Sequence, residues 1–187
     1  VQWNPDGTEV AFVSTSRDHK RVDLRVADAA TGKVRNVLAE RAETFFESGQ
    51  GRVNWRYLPK SNEVLWFSRK DNYGHLYLHD AGNGFMKNRI TGGDGNVTQV
   101  LRVDEETRTI YFLGVGKEKG RDPYFRHFYK INFDGTGATL LTPEDADHAI
   151  ELSPSGRYFV DAYSRPDVPP TIVLRDSNGK VLLPLEH

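Results

Sequence analysis

Two arginines flank an aromatic in the run Arg52-Val53-Asn54-Trp55-Arg56-Tyr57. A guanidinium fork can grip a carbonyl or a carboxylate, and an indole or phenol ring can wall a pocket. Arg52, Trp55, Arg56 and Tyr57 are therefore the candidate substrate-binding residues. A competing reading makes Trp55 a buried strand residue and the arginines ordinary surface. Lys117 to Arg126 poses the same choice. Its adjacent aromatics, Tyr124 and Phe125, either dock a partner or fold back onto their own sheet.

Bond-making chemistry finds less support. No Gly-x-Ser-x-Gly elbow occurs, and no catalytic residue is assigned. There is no cysteine, which excludes disulfides, thiolate zinc sites and a cysteine nucleophile. His75 and His79 fall on one side of one strand, roughly 13 Å apart, too far to share a metal. No metal and no cofactor is expected. Gly114-Val115-Gly116-Lys117 looks like a phosphate loop only superficially, because no helix follows it. Asp104-Glu105-Glu106 reads as a solvated turn.

The elements that would position such residues are written four times. Each copy is a short apolar strand, a polar turn and a second, aromatic strand. The copies are Val1-Gln2-Trp3 into Ala11-Phe12-Val13, Val53-Asn54-Trp55 into Leu65-Trp66-Phe67, Val100 to Val103 into Ile110-Tyr111-Phe112, and Ile150-Glu151-Leu152 into Tyr158-Phe159-Val160. A third strand, a Gly- or Asn-bearing turn and a fourth strand follow each. The third strands are Val22 to Val26, Leu76 to His79, Phe128 to Ile131 and Thr171 to Leu174. The fourth are Val34 to Leu38, Met86 to Ile90, Ala138 to Leu141 and Val181 to Leu185. A strand-and-turn repeat of roughly 45 to 55 residues is the signature of propeller blades. The fold expected is all-β: a partial β-propeller of about four blades of four antiparallel strands, at about 1–40, 41–92, 93–142 and 143–187, forming an open arc. Glu40 to Glu47 is the nearest approach to a helix and reads as a loop. The longer loops, including Glu40 to Arg52, Arg69 to Gly74, Gly114 to His127 and Ser164 to Pro170, are expected on one working face.

The 25 Lys and Arg against 26 Asp and Glu leave no electrostatic footprint for nucleic acid. No apolar run approaches the roughly 20 residues of a membrane span. Val1 opens in mid-pattern, as if cut from something longer, and Leu185-Glu186-His187 reads as native or as the start of a vector-encoded histidine tag, the tag being preferred. Two cut blade faces are then expected to pair copies into a homodimer or to aggregate.

Several strings carry a family resemblance. They are Gly51-Arg52-Val53-Asn54-Trp55-Arg56, Tyr73-Gly74-His75-Leu76-Tyr77-Leu78, Gly95-Asn96-Val97-Thr98, Arg126-His127-Phe128-Tyr129 with Asn132-Phe133-Asp134-Gly135, Ser153 to Phe159, and Ser164 to Pro170. Their order and spacing resemble the dipeptidyl peptidase IV N-terminal region, the β-propeller of serine exopeptidases in the prolyl oligopeptidase family. The resemblance implies an eight-bladed propeller capping an α/β-hydrolase domain with a Ser-Asp-His triad, in an exported parent, periplasmic or extracellular. This chain would be the C-terminal half of that propeller. The hydrolase domain and the first half of the propeller would be its missing partners, and the amino-terminal region of a peptide its substrate. The family's paired glutamates belong to the earlier half. Its Gly-Arg-aromatic-Arg segment, which lines the pocket near the substrate's second residue, matches Gly51 to Arg56 with inserted residues. The expected role is non-catalytic: gating and positioning peptides and docking the hydrolase. The alternatives are a propeller scaffold for protein–protein binding without a peptidase, and a closed four-bladed propeller binding a ligand in its channel.

Overall fold

The computed structural model describes residues 1–48 and 52–186; Gly51 and His187, both named above, lie outside the described residues. Every regular element among them is a strand, as the repeat predicts. The first sheet holds β1 (Gln2–Trp3), β2 (Glu9–Thr15), β3 (Arg21–Asp28) and β4 (Val34–Arg41). The second holds β5 (Arg56–Leu58), β6 (Glu63–Asp71), β7 (Tyr73–Asp80) and β8 (Met86–Arg89). The third holds β9 (Asn96–Asp104), β10 (Thr109–Val115), β11 (His127–Asn132) and β12 (Thr139–Leu140). The fourth holds β13 (Asp147–Leu152), β14 (Tyr158–Arg165), β15 (Val168–Asp176) and β16 (Val181–Glu186). Each sheet is an antiparallel meander in chain order, the topology of a propeller blade.

The chain divides into two compact units, residues 1–90 and 91–187. Each contains two sheets. In the first, Ala11, Val22, Leu24, Val26, Val37 and Leu38 of the first sheet pack on Trp55, Tyr57, Val64, Trp66 and Ala81 of the second. Alternation along β3 explains part of this, since Val22, Leu24 and Val26 share one face. In the second unit Leu113, Phe128, Leu141 and Phe159 form an apolar cluster, with Phe128 and Phe159 edge to face at 5.0 Å.

Two sequence expectations need correction. The second copy's first strand is Arg56–Leu58, not Val53 to Trp55. The reason is competition for backbone groups. The Arg56 guanidinium donates to the carbonyls of both Val53 (3.0 Å) and Trp55 (2.8 Å), so those carbonyls are engaged by a side chain rather than by a strand ladder. The Gln2 amide stands in for a neighbouring strand: its Nε2 donates to the Trp55 carbonyl at 2.8 Å and its Oε1 accepts from the Tyr57 N–H at 2.9 Å. Second, Arg69 to Gly74 and Ser164 to Pro170 are not long loops. Strands β6 and β7 continue to Asp71 and from Tyr73, with Asn72 turning the chain at φ 73°. Strands β14 and β15 leave two residues between Arg165 and Val168.

Candidate functional site

A concave surface of the first unit forms where residues 42–48 fold back. The Phe46 N–H donates to the His19 carbonyl (2.8 Å) and the Ala42 N–H to that of Lys20 (2.8 Å), which pins this segment to the turn after β2. Phe45 then stacks on His19 at 5.1 Å, and Phe46 on Trp66 at 5.8 Å. The result is a cleft of about 410 Å³ with His19, Phe45, Phe46, Val53, Trp55 and Trp66 among its walls and Glu47 and Ser48 at its polar end. Beside it, a polar cleft of about 560 Å³ shares Phe45, Phe46 and Glu47 and adds Glu40, Arg69 and Lys70. Glu47 pairs with Arg69 at 3.0 Å. Glu40 accepts from Trp66 Nε1 (2.7 Å) and Ser68 Oγ (2.6 Å), which locks the indole that floors the apolar cleft.

The four predicted site residues separate in this setting. Trp55 is buried and lines the apolar cleft while belonging to the core. Arg52 is exposed, and its carbonyl accepts from Ser48 Oγ at 2.6 Å at the cleft's polar end. Arg56 is half-buried against its own backbone, and burial lowers its pKa. Tyr57 is core. Its hydroxyl donates to Glu9 Oε2 at 2.7 Å and accepts from Arg35 at 3.4 Å, and burial followed by the Glu9 bond pushes its pKa up to about 12. Sequence reasoning missed His19, Phe45 and Phe46. The Phe45-Phe46 pair offered the same signal as Tyr124-Phe125: adjacent aromatics in a polar loop.

The other motifs resolve quietly. Tyr124 is 86% exposed while Phe125 is half-buried. Lys117 donates to the Gly92 (3.2 Å) and Asp94 (3.4 Å) carbonyls rather than waiting for a phosphate, and burial lowers its pKa. His79 Nδ1 faces the Gly84 carbonyl at 2.9 Å, and burial keeps its pKa low. In the Asp104-Glu105-Glu106 turn Glu106 is exposed but Glu105 is half-buried, a partial departure from the solvated reading.

The second unit contains a buried cluster that the sequence did not advertise. His148 Nδ1 lies 2.8 Å from Asp161 Oδ1, and its Nε2 lies 3.1 Å from the Glu144 carbonyl. Arg175 reaches Asp161 Oδ2 at 2.9 Å, Glu144 Oε2 at 2.8 Å and the Gly179 carbonyl at 3.0 Å. Ligand atoms of Glu144, His148 and Asp161 lie within 4.8 Å of one another, a spacing a divalent cation accepts. Arg175 already supplies the positive charge to both carboxylates, so the set is an internal ion network rather than a metal cage. Nor is it a hydrolytic dyad. His148 and Asp161 are fully buried, and the far nitrogen of the ring meets a carbonyl instead of a serine hydroxyl.

Comparison with known proteins bears on the fold and the family. A family model described as the dipeptidyl peptidase IV (DPP IV) N-terminal region matches residues 1–170. Dipeptidyl peptidase 4 of Arthroderma otae is 28% identical over 176 residues, covering 86% of this chain and 22% of that protein. Dipeptidyl peptidase 4 of Trichophyton rubrum is 28% identical over 168 residues, covering 88% of this chain and 19% of that protein. The chain thus spans about a fifth of the length of these curated relatives. The crystal structure of Porphyromonas gingivalis dipeptidyl peptidase 4 matches 96% of this chain and 24% of that one, with a TM-score of 0.82 at 23% identity, a likeness of fold. No helix among the described residues is long and apolar enough to cross a membrane.

Proposed function

The chain belongs to the family of the dipeptidyl peptidase IV N-terminal region, and from that premise we propose that it is a non-catalytic propeller portion of a dipeptidyl peptidase IV-like serine exopeptidase. The match over residues 1–170 is the observation that carries the reading. In this reading the chain is the C-terminal half of the propeller, with blades at about 1–40, 41–92, 93–142 and 143–187. It gates access, positions peptide amino termini and docks an α/β-hydrolase domain that carries the triad.

Arg52, Trp55, Arg56 and Tyr57 form the substrate-side element, with divided labour. Arg52 is the exposed cation placed to meet a peptide carbonyl or carboxylate. Trp55 walls the cleft. Arg56 and Tyr57 hold the segment in shape through the Val53 and Trp55 carbonyls and through Glu9.

Two measurements test this together. The pure chain leaves an X-Pro chromogenic dipeptide uncleaved; cleavage that survives a change of buffer and tag overturns the non-catalytic role. In the full-length enzyme Arg52→Ala raises KM or lowers kcat/KM by about one to two decades, the worth of one charge-assisted hydrogen bond at roughly 1.5–3 kcal/mol. Unchanged kinetics in both Arg52→Ala and Arg56→Ala retires the substrate-side assignment.

A further inference from the structure

A third cleft of the first unit, of about 430 Å³, lies where β4 meets the turn between β7 and β8. Its lining comes from the first and second sheets and that turn, and reaches neither end of the chain. A volume of this order suits a small molecule. The walls are fixed. Gly84 sits at φ 76° so close to β4 that a Cβ would collide with the Val37 carbonyl, an approach open only to glycine. The Gly84 N–H donates to the Asp80 carbonyl at 2.9 Å, and Asp80 Oδ1 accepts from the N–H groups of Gly82 and Asn83.

Three unlike polar groups line this cleft. Glu40 is the anion. Trp66 Nε1 and Ser68 Oγ each donate to one of its oxygens, yet among the described residues no cation pairs with it. A carboxylate has about four lone-pair sites, so acceptor capacity remains. Lys70 is the cation. Its exposed ammonium lies 4.0 Å from the centre of the Tyr77 ring and 3.2 Å from Met86 Sδ, with no carboxylate partner among the described residues. Its neighbours in the second sheet, Arg69, Lys87 and Arg89, face Glu47, Glu63 and Asp71.

His79 is the neutral acceptor. Its Nδ1 faces the Gly84 carbonyl, which can only accept, so Nδ1 carries the proton and Nε2 keeps its lone pair. That Nε2 is buried without a partner, an uncommon state for a polar atom. Burial holds the ring's pKa low, with Lys70 acting in the same direction and the Gly84 carbonyl and Glu40 against it. Apolar surface completes the cleft: Phe85 is 75% exposed at its rim, and Leu38 is buried opposite in β4.

We propose that this cleft binds a small zwitterion with an apolar side chain, a free amino acid or a dipeptide. The ligand's ammonium meets Glu40 and the His79 lone pair, its carboxylate meets Lys70, and its side chain lies against Phe85 and Leu38. Like charges repel, so Glu40 disfavours a simple anion and Lys70 a simple cation. A ligand with both signs satisfies both. The site stands on its own geometry; only the dipeptide as its source rests on the peptidase reading.

Calorimetric titration of the pure chain with L-phenylalanine and with phenylalanyl-proline tests this. At least one of them saturates a single site. Saturation by phenylalanine alone assigns the site to free amino acids, and by the dipeptide alone to dipeptides; either upholds it. N-acetylphenylalanine lacks the ammonium and phenylalaninamide lacks the carboxylate. Each binds the wild type at least about tenfold more weakly than its parent, the worth of one charge-assisted hydrogen bond. Lys70→Gln removes the penalty for the amide and keeps that for the acetylated compound. Phe85→Ala weakens every ligand alike, while Lys60→Gln, exposed and outside the cleft, changes nothing. No saturable heat with either parent ligand overturns the proposal. So does equal binding of the blocked and unblocked compounds, or an amide penalty that persists in Lys70→Gln. The peptidase reading is tested by kinetics of Arg52→Ala in the full-length enzyme, a readout not shared with these titrations, so the two fail separately.

Discussion

The two units solve one packing problem with different chemistry. Residues 1–90 join their sheets through an apolar cluster in which Trp55, Tyr57 and Trp66 of the second sheet meet Val22, Leu24, Val26, Val37 and Leu38 of the first. Residues 91–187 have a cluster around Phe128 and Phe159 and add charge. Arg126 grips Asp147 at 2.9 and 2.6 Å, tying β11 to β13. The network of His148, Asp161, Arg175 and Glu144 then stitches β13, β14 and β15 and holds the Gly179 turn against Leu141. A blade interface needs a filled volume and satisfied polar groups. Large aromatics meet that need at low electrostatic risk. Buried ions meet it only while every partner stays in place.

The largest effect expected from that contrast is at Arg175, whose side chain is 2% exposed against a fully buried Asp161. Arg175→Met leaves Asp161 and Glu144 without their cation. Removing one partner of such a buried set costs about 3–5 kcal/mol. Hydrogen exchange should show the loss in β13 to β15, with β6 and β7 protected as before. A variant as stable as the wild type would reduce the ionic network to an ornament of the second unit.

The repeat, the strand class and the glycine turns were legible because period-two alternation and Gly or Asn in tight turns are local signals. Leu76 and Leu78 announce β7 without reference to any neighbour. The start of β5 was not legible: it depends on Gln2 reaching Trp55 and Tyr57 from 53 and 55 residues away. The cleft was half legible. Trp55 was named, but the fold-back that brings Phe46 onto Trp66 depends on His19 and Lys20 carbonyls remote in sequence. The buried ion network was not legible at all. Glu144, His148, Asp161 and Arg175 are separated in turn by 4, 13 and 14 residues, with no spacing rule that distinguishes them from surface charges.

Acid should separate the units next. Burial pushes the Asp147 and Glu144 carboxyls up, but the hydrogen bonds from Arg126 and Arg175 outweigh it and hold both below their ordinary values. Their contribution is present above the unfolded carboxylate pKa and lost as pH falls through the folded one. His127 adds to this from the other side. Burial, then His148, lowers its pKa, so the unfolded chain takes up a proton first as pH drops below about 6.5. The first unit has the lowered His79, and its carboxyls with lowered pKa among the described shifts, Asp6, Asp18 and Asp28, are exposed and held by hydrogen bonds within their own turns rather than by an arginine. Exchange protection should therefore fail in β11 and β13 at a higher pH than in β3 and β6. Equal failure in both would mean that the ionic contribution is too small to distinguish the units.

The smallest effect sharpens the contrast from the apolar side. Tyr57, like Trp66, brings a polar group into the first unit's cluster, donating to Glu9 at 2.7 Å. Tyr57→Phe keeps the ring and loses that bond, which should cost about 1 kcal/mol. The pH dependence carries a sign. With its pKa raised to about 12, folded Tyr57 keeps its proton where the unfolded residue, near 10, has begun to lose it. Its stabilisation is complete below the unfolded value and disappears as pH climbs through the folded one. Wild type should lose stability in that alkaline window faster than Tyr57→Phe, while the two run parallel at neutral pH. A urea midpoint followed across the window decides it. If Tyr57→Phe costs as much at neutral pH as Arg175→Met, the first unit rests on a polar anchor too, and the difference between the units is one of geometry rather than of chemistry.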